Sequence, residues 1–338
     1  MHVIPDFNLK HHNTFGINAK CRLFVEFDNV DDIPQVLDII HRDGGEFFIL
    51  GGGSNLLLTS DFNGIVIHPS IKGYDTEPID GGMLLRAGCG VEWDELVEYS
   101  VSNGWYGLEN LSLIPGTVGA SAVQNVGAYG VEAKDVISSV EAVEIETGKR
   151  FVFDNSDCDY SYRYSRFKAD WRNCFIITHV TYRLSSVYVA KLEYGNIKNE
   201  LEKRGVADSP TALQLREVVM AIRREKLPDP QVEGNAGSFF MNPVVGIDKY
   251  EELKSQYPSM PHYTIDDKHE KIPAGWLIEQ CGWKGRTLGR AGVHDRQALV
   301  LVNKGGATGC EILELCNAVR RDVSERFGIT IVPEANII

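Results

Sequence analysis

The order of apolar and polar positions predicts alternating strands and helices at the start of the chain. Short apolar runs, typical of buried strands, fall at residues 21–27, 47–50 and 65–67. Between the first two runs, a helix with one apolar face is predicted to begin after Asp31 and Asp32 and to end at Gly44. Strand, helix, strand, glycine loop and strand is the pattern of an α/β unit.

Beyond residue 80 the pattern changes. Further strands are predicted at residues 83–87, 136–145, 150–153, 175–184, 298–302 and 330–332. Further helices are predicted at residues 92–102, 194–204, 211–226, 273–281 and 308–327. Strands dominate up to residue 184, so the expected fold class is α+β rather than a regular series of βαβ units. The expected domains are residues 1–205, in two parts of about 1–70 and 71–205, and residues 206–327, with a C-terminal strand in 328–338 returning to the first domain.

Residues 114–130 form a glycine-rich segment that differs from the rest of the chain. Its seventeen residues include four glycines and no charged side chain, in a chain that is 24% charged. The segment has neither the alternation of a strand nor the apolar stripe of a helix. Glycine and small residues allow backbone to approach another group closely. Either a large ligand or a second element of the protein therefore lies against it.

A second glycine loop, residues 51–55, follows the predicted strand at 47–50. Backbone N–H groups in such turns bind phosphates, although a plain turn explains this loop equally well by itself. Leu56 stands where a dinucleotide fingerprint needs glycine, and no GK[ST] sequence is present, so a P-loop is excluded. Together, the two glycine segments could hold the two ends of one long cofactor.

Charge and composition exclude several classes of protein. The net charge of −13 argues against a nucleic-acid partner. The first residues lack a signal-peptide pattern, and no run reaches membrane-spanning length. The seven cysteines form no CxxC pair, which favours reduced thiols in a cytoplasm, and the histidines lack the spacing of metal ligands, so no metal is expected.

Three further positions carry candidate chemistry. Residues 159–168 alternate tyrosine with polar residues, which in a strand would place the tyrosines on one face and Arg163 on the other. Ser238 follows a glycine, where serine is more often a turn residue than a catalytic group, and a carboxylate such as Glu334 near a chain end is normally solvated. Taken singly, these patterns favour structural roles, and no hydrolase triad is recognisable.

Eight blocks of the sequence, taken in order, resemble the UDP-N-acetylenolpyruvoylglucosamine reductases. The blocks are NTFG (13–16), LGGGSN (50–55), IPGTVGASAVQNVGAYG (114–130), YRYSRFK (162–168), KLPDP (226–230), GNAGSFFMNP (234–243), PAGWLIEQCGWKG (273–285) and the terminal PE (333–334). They extend over nearly the whole chain. Tyr194, in LEYGNI, resembles the branch of the family that has a tyrosine-bearing segment after the flavin domain.

The resemblance implies a fold and a reaction. The implied fold is a two-part FAD-binding domain of the vanillyl-alcohol-oxidase (PCMH) type, followed by an α/β substrate-binding domain. The implied cofactor is FAD, and the implied hydride donor is NADPH. The implied reaction converts UDP-N-acetylglucosamine enolpyruvate to UDP-N-acetylmuramate in peptidoglycan precursor synthesis. A nucleotide-sugar is thus the expected small-molecule partner, with no membrane or obligate protein partner.

The resemblance also implies site residues. The implied catalytic residues are Arg163 and Glu334 on the substrate carboxylate and Ser238 as proton donor. The implied FAD contacts are Gly51, Gly52, Gly53, Ser54, Asn55, Pro115, Gly116, Thr117, Gly119, Ala120, Ser121, Gln124, Asn125 and Gly127. The implied nucleotide-sugar contacts are Tyr194, Lys226, Asn242 and Gln297.

Two positions depart from the family pattern. Met241 stands where lysine is common, and Asn336 stands where a relative can carry arginine.

Two other functions compete with the reductase. An FAD oxidase of the same fold would consume oxygen, although the glycine loops lack the His or Cys that covalent flavin attachment generally uses. A nucleotide-sugar binding module would bind no flavin and would leave residues 114–130 unexplained.

Overall fold

The structure is a computed structural model that describes every residue from Met1 to Ile338. Its strands are β1 (His2–Asn8), β2 (Lys20–Phe27), β3 (Phe47–Ile49), β4 (Leu56–Leu57), β5 (Phe62–Pro69), β6 (Tyr74–Ile79), β7 (Gly82–Gly88), β8 (Gly127–Ala128), β9 (Val131–Glu132), β10 (Ile137–Glu144), β11 (Arg150–Asp154), β12 (Phe175–Ser185), β13 (Gly234–Asn235), β14 (Val244–Gly246), β15 (Tyr263–Asp266), β16 (His269–Lys271), β17 (Thr287–Leu288), β18 (Ala291–Val293), β19 (Leu301–Asn303) and β20 (Asn336–Ile337). Its α-helices are α1 (Ile33–Asp43), α2 (Trp93–Ser102), α3 (Val118–Gln124), α4 (Ile197–Lys203), α5 (Ala212–Lys226), α6 (Ile247–Gln256), α7 (Ala274–Gln280) and α8 (Gly309–Phe327). None of these helices combines the length and the apolar character needed to cross a membrane.

Contacts between Cα atoms divide the chain into two compact units. The first unit comprises Met1–Phe7, Cys21–Gly52 and Asn63–Glu225. One of its sheets has the strand order β1-β2-β5-β3, with β3 and β5 parallel. Helix α1 carries proline in its first turn and ends at Gly44, whose φ of 60° is left-handed. Glycine adopts this conformation without steric cost, so the predicted helix start and stop are both confirmed.

The second sheet of the first unit is antiparallel and supports the glycine-rich segment. Its order is β11-β10-β12-β7-β6, with Val140 opposite Val180 and Val180 opposite Ala87. These three residues belong to a buried core that includes Trp93 and Tyr182. Helix α3 packs on β12 and β7. The sheet therefore fixes the central part of residues 114–130.

The second unit comprises Asn8–Lys20, Gly53–Phe62 and Lys226–Ile338. Its sheets have the orders β13-β19-β18-β17, β14-β16-β15 and β20-β4. The long helix α8 begins at a capping box, in which Thr308 accepts from the backbone of Glu311 and the Glu311 carboxylate accepts from Thr308. This reciprocal cap explains why the helix start could be read from local sequence.

Helix α3 was not predicted. It occupies Val118–Gln124 inside the segment that lacked a helical stripe. Val118 and Ala122 are completely buried, one turn apart, on the face that packs against the sheet. Seven residues make two turns only, which is too short for an apolar period to be recognised.

The predicted strand at residues 330–332 was wrong. The C-terminal strand is β20, which pairs in parallel with β4, so that Asn336 lies opposite Leu56. The pairing partner lies about 280 residues earlier in the chain, and local sequence therefore could not place the strand. The chain end does return to the segment after the glycine loop, although this segment belongs to the second unit.

Residues 159–168 also differ from their prediction. They form no strand: Ser161 and Tyr164 make an isolated bridge, and a short 3-10 helix follows at Arg166–Lys168. The predicted helix at 194–204 begins later, at Ile197, because Gly195 has a left-handed φ of 70° that interrupts helical backbone.

The chain passes for the last time from the first unit to the second between residues 225 and 226, whereas the expected domain boundary was at 205 and 206. Helix α5 belongs with the first unit because Arg216 forms a salt bridge with Asp94 of α2. Its apolar side, including Leu215 and Val219, packs with α4 in a small separate core. The functional domains expected from the sequence remain a prediction.

Candidate active site

The two glycine segments of the first unit lie against each other. A Cβ atom on Gly52 would stand 3.0 Å from the Gly116 Cα, and one on Gly51 would stand 3.0 Å from the Thr117 Oγ1 and 3.2 Å from the Ala120 Cβ. These distances are shorter than nine in ten real Cβ contacts, so a side chain at Gly51 or Gly52 would require the second segment to shift by a few tenths of an ångström. The two loops, which the sequence linked only through a shared cofactor, are therefore in direct contact.

Gly119 is a glycine for a different reason. A Cβ at this position would stand 2.9 Å from the Cys89 Cβ, and the Gly119 N–H donates to the Cys89 carbonyl over 2.9 Å. Gly119 thus lets α3 pack on β7 at the Cys89 end. Sequence left open whether a ligand or another element lies against residues 114–130, and at Gly119 the answer is another element.

Ser121 and Asn125 use their side chains within the protein. The Ser121 hydroxyl donates to the Val118 carbonyl over 2.7 Å and lies 3.0 Å from the buried Tyr182 hydroxyl. Asn125 is completely buried, with a left-handed φ of 45°. Both of its amide hydrogens are donated, to the Glu132 carboxylate over 2.9 Å and to the Ser161 carbonyl over 2.8 Å. Asn125 therefore holds the loop after α3, and a hydrogen bond from its side chain to a cofactor remains a prediction.

The structure brings Arg163 to the end of the glycine-rich segment. Arg163 Nη2 donates to the Gly127 carbonyl over 2.8 Å, and a Cβ on Gly127 would stand 3.1 Å from Arg163 Nη1. The φ of Arg163 is 57°, a left-handed value that costs a non-glycine residue about 1–3 kcal/mol. Lys168 Nζ donates to the Arg163 carbonyl over 3.0 Å and helps to hold this conformation. The turn, rather than the expected strand, aims the guanidinium.

Arg223 is a second cation in this region that sequence reasoning assigned only to a helix end. Its Nε donates to the Leu113 carbonyl over 3.1 Å. Burial lowers the pKa of Arg223, and the nearby charge of Arg163 lowers it further, whereas Tyr129 and Asp94 raise it. Two guanidinium groups are therefore close enough to interact. No local signal separates Arg223 from the exposed Arg224 beside it.

Tyr194 lies beside the same loop. A Cβ on Gly130 would stand 3.4 Å from the Tyr194 Cβ, and one on Gly195 would stand 3.5 Å from the Tyr129 Cδ1. The Tyr194 side chain keeps 45% of its surface exposed. The first unit thus gathers Arg163, Tyr194 and the glycine-rich segment.

In the second unit, backbone hydrogen bonds bring Ser238, Gln297 and Glu334 into one network. The Phe239 N–H donates to the Leu299 carbonyl over 2.8 Å, and the Phe239 carbonyl accepts from the Glu334 N–H over 2.8 Å. Ser238 precedes Phe239, and Gln297 accepts from the Leu299 N–H over 3.3 Å. Ser238 and Glu334 are both half-buried.

The end of the first glycine loop is tied to the C-terminus. The Asn55 side chain donates to the Glu334 carbonyl over 3.3 Å, and the Asn55 carbonyl accepts from both the backbone and the side chain of Asn336, over 3.0 and 3.1 Å. Asn336, a departure from the family pattern, therefore closes the loop. Gly53 is also constrained, because its φ is 62° and a Cβ would stand 2.0 Å from the His12 carbonyl oxygen. Ser54 lies between these two constrained residues.

The remaining predicted contacts differ in their surroundings. Asn242 Oδ1 accepts from the Ala274 N–H over 2.9 Å at the start of α7, and Lys226 is exposed. Pro115 is exposed, and Gln124 is half-buried at the end of α3.

Sequence reasoning missed Asn235, which connects three of the blocks that carry the resemblance. Its side chain donates to the Pro228 carbonyl over 3.2 Å and to the Glu233 carbonyl over 2.8 Å, and accepts from the Gly237 N–H over 2.9 Å. Its backbone N–H donates to the Thr14 carbonyl over 3.0 Å, and its own carbonyl accepts from the Thr14 hydroxyl over 2.6 Å. Asn235 is 3% exposed. It therefore sets the turn that precedes Ser238.

Comparison with known proteins decides the family. The domain model described as "UDP-N-acetylenolpyruvoylglucosamine reductase, C-terminal domain" matches residues 229–338, and the model described as "FAD binding domain" matches residues 21–154. The UDP-N-acetylenolpyruvoylglucosamine reductase of Bacteroides fragilis is 51% identical over 98% of this chain and 99% of its own length. This chain belongs to the UDP-N-acetylenolpyruvoylglucosamine reductase family. The reductase of Burkholderia pseudomallei is 44% identical over 98% of this chain and 96% of its own.

Solved structures agree on the fold of this family. The crystal structure of the Thermus caldophilus reductase aligns with a TM-score of 0.67 at 22% identity, over 99% of this chain and 98% of that chain. A 4-ethylphenol oxidase from Gulosibacter chungangensis aligns with a TM-score of 0.53 at 12% identity, over 98% of this chain and 84% of that chain. At these identities the likeness shows the fold alone. It confirms the predicted fold class, an FAD-binding domain followed by a second domain.

The residues at the glycine segments fit FAD, the cofactor of this family. Gly51 and Gly52 pack closely against Gly116 and Thr117 in a glycine cradle, which a Cβ on Gly51 or Gly52 would crowd. The FAD binding domain match includes both segments. Residues 114–130 carry no charge, so the diphosphate would depend on backbone N–H groups there. No His, Cys, Asp or Glu cluster in the chain has the arrangement of a metal site.

Proposed function

We propose that this chain reduces UDP-N-acetylglucosamine enolpyruvate to UDP-N-acetylmuramate, with FAD as cofactor and NADPH as hydride donor. The observation that supports this most strongly is the match of 51% identity over 98% of the chain with the Bacteroides fragilis reductase. The alignment leaves no region of the reductase unmatched that could carry a separate activity, since it covers 99% of that protein.

FAD, held by residues 51–55 and 114–130, would supply the hydride chemistry, with NADPH as the hydride source and the terminal carbon of the enolpyruvyl group as the acceptor. Hydride addition leaves negative charge on the carbon next to the substrate carboxylate, in effect an enediolate. We propose that Arg163 binds this carboxylate and stabilises the developing charge. The second guanidinium, that of Arg223, adds positive charge in the same region of the first unit. Such a pair favours an anionic ligand.

Ser238 and Glu334 complete the proposed chemistry. Ser238 donates its hydroxyl proton to the α-carbon, so the double bond gains one hydride and one proton and becomes a saturated lactyl ether. Glu334 is proposed as a further catalytic residue that acts on the substrate carboxylate. The backbone network through Phe239 supports a joint role for Ser238 and Glu334.

The nucleotide-sugar contacts are proposed for Tyr194, Lys226, Asn242 and Gln297. The Lys226 ammonium and the Tyr194 hydroxyl suit a diphosphate, and both side chains are exposed. Asn242 and Gln297 would hydrogen-bond the sugar or the uracil. Asn242 would do so with its amide hydrogens, because its Oδ1 accepts from Ala274.

The test separates the two half-reactions of Ser238→Ala under anaerobic conditions. NADPH should bleach the flavin band at the wild-type rate, because Ser238 has no part in that step. Reoxidation by the enolpyruvyl substrate should slow by about 10²–10⁴-fold, the usual contribution of a general acid. Ser255→Ala removes an exposed serine hydroxyl of the same unit and serves as the matched control.

Equal slowing of both half-reactions would show that Ser238 is structural. A purified protein that is colourless and cannot be reconstituted with FAD would refute the whole proposal. Rapid oxygen consumption with no response to the UDP-sugar would support an oxidase instead.

We also propose a cytoplasmic role in peptidoglycan precursor synthesis, which supports cell wall biogenesis, cell shape and cell division. All seven cysteines are free thiols, and four of them are buried, as suits a reducing compartment. Burial raises the pKa of Cys89 and of Cys316 to about 12, so neither is a reactive thiolate at neutral pH.

A further inference from the structure

Helix α5 carries two arginines that reach the segment around the cofactor. Arg216 and Arg223 are seven residues apart, which places them on the same face two turns apart. Arg216 is only 6% exposed, an unusual burial for arginine. A buried arginine needs paired acceptors, which Arg216 finds in Asp94, and the half-buried Arg223 finds an acceptor in the Leu113 carbonyl.

The first end of residues 114–130 is held by these arginines. Arg216 binds the Asp94 carboxylate through both of its terminal nitrogens, over 2.6 and 3.0 Å. Asp94 in turn accepts from the Leu113 N–H over 2.5 Å, and Arg223 Nε donates to the Leu113 carbonyl over 3.1 Å. Both backbone polar groups of Leu113 are thus held by charged side chains.

Leu113 needs such support. Its φ is 58°, in the left-handed region, where the Cβ of a leucine is unfavourable. Pro115 and Gly116 follow directly and lie in the segment that contacts Gly52. The direction in which the chain enters the cradle therefore depends on the strained conformation of Leu113.

The second end of the segment lies near the same arginine. Tyr129 also has a left-handed φ, of 50°, and its carbonyl accepts from the Asn110 side chain over 3.0 Å. Burial raises the pKa of the Tyr129 phenol, and the positive charge of Arg223 partly offsets that rise.

We propose that Arg223 is a positioning residue for the cofactor site, because it ties the first end of residues 114–130 to α5 through Leu113, lies near Tyr129 at the second end, and so sets the place of Gly116 beside Gly51 and Gly52. Arg216 and Asp94 secure the first end. A segment without charged residues is thereby anchored by charges on a neighbouring helix. This inference rests on the proposed function, in which the segment is part of the FAD site.

The test is titration of the apoprotein with FAD, followed by flavin fluorescence. Arg223→Gln should weaken FAD binding by about tenfold, which corresponds to about 1.4 kcal/mol. Arg224→Gln, a neighbour on the same helix with an exposed side chain, should bind FAD as the wild type does. Tyr129→Phe, which removes a single hydroxyl at the second end, should weaken binding by a smaller factor. The thermal midpoint of each apoprotein reports whether the fold is intact.

Replacing Leu113 by glycine distinguishes positioning from general damage. Glycine tolerates the left-handed φ, so Leu113→Gly in the Arg223→Gln protein should restore most of the lost FAD affinity. An Arg223→Gln protein that binds FAD within twofold of wild type would overturn the inference. The inference would also be overturned if Leu113→Gly did not restore the FAD affinity lost in Arg223→Gln and Tyr129→Phe bound FAD as the wild type does. Failure of the wild-type apoprotein to bind FAD would instead refute the proposed function.

Discussion

Replacing Asn235 by aspartate tests whether the turn before Ser238 depends on one buried amide. The substitution Asn235→Asp keeps the size of the side chain and an oxygen that can accept from the Gly237 N–H. It removes the two donated hydrogen bonds, to the Pro228 carbonyl at 3.2 Å and the Glu233 carbonyl at 2.8 Å. It also places a carboxylate against these two carbonyl oxygens. The carboxylate would be buried, because native Asn235 is only 3% exposed.

The expected loss follows from these contacts. Each buried carbonyl left without its donor costs about 1 kcal/mol or more, and an unpaired buried charge adds to this. We therefore expect Asn235→Asp to lower the free energy of unfolding by about 3 kcal/mol at pH 7. Asn199→Asp makes the same chemical change at an exposed position of α4 and should cost less than about 0.5 kcal/mol.

The measurement is chemical denaturation of both variants and the wild type, repeated between pH 7 and pH 4.5. Burial beside carbonyl oxygens raises the pKa of the new carboxyl in the folded state above its ordinary value. The loss of stability that comes from ionising this carboxyl is therefore absent below its ordinary pKa. It grows as pH rises towards the folded-state pKa. The difference between Asn235→Asp and wild type should therefore shrink as pH falls from 7 to 4.5.

A constant difference over this pH range would refute the reasoning, because a lost packing contact does not titrate. An unchanged free energy of unfolding at pH 7 would show that the three segments around Asn235 hold together without its side chain.

Two further predictions concern the cradle and the start of α8. Gly52→Ala should weaken FAD binding about tenfold, because its Cβ would stand 3.0 Å from the Gly116 Cα. The control is Gly246→Ala, whose Cβ would meet nothing within 4 Å and which should bind FAD normally in the same titration. The hydrogen bond from Arg290 is the main cause that lowers the pKa of Glu311 from 4.5 to about 2. Because the pKa of Glu311 is lowered in the folded state, its ionised carboxylate stabilises the fold above pH 4.5, and this stabilisation is lost as pH falls towards 2. The thermal midpoints of Glu311→Gln and wild type should therefore differ at pH 6 and converge near pH 2.

Much of the local structure could be predicted because its signals lie close together in the chain. Helix α1 and helix α8 begin and end at residues that cap them directly, such as Gly44 and the Thr308–Glu311 box. Resemblance of ordered blocks then indicated the family, which comparison confirmed. The two glycine loops were expected to share a ligand. The direct packing of Gly51 and Gly52 on residues 116–120 was not expected.

Sequence by itself determined the elements whose stop signals and apolar periods are local, and it led to the prediction of which segments hold the cofactor. Only the tertiary structure decided the turn that aims Arg163, because its left-handed φ depends on residues that meet it across the fold. The same holds for Asn235 and Arg223, which look ordinary in the sequence. Their roles come from hydrogen bonds to residues up to 221 positions away, and the energy of such contacts has no trace in the local pattern.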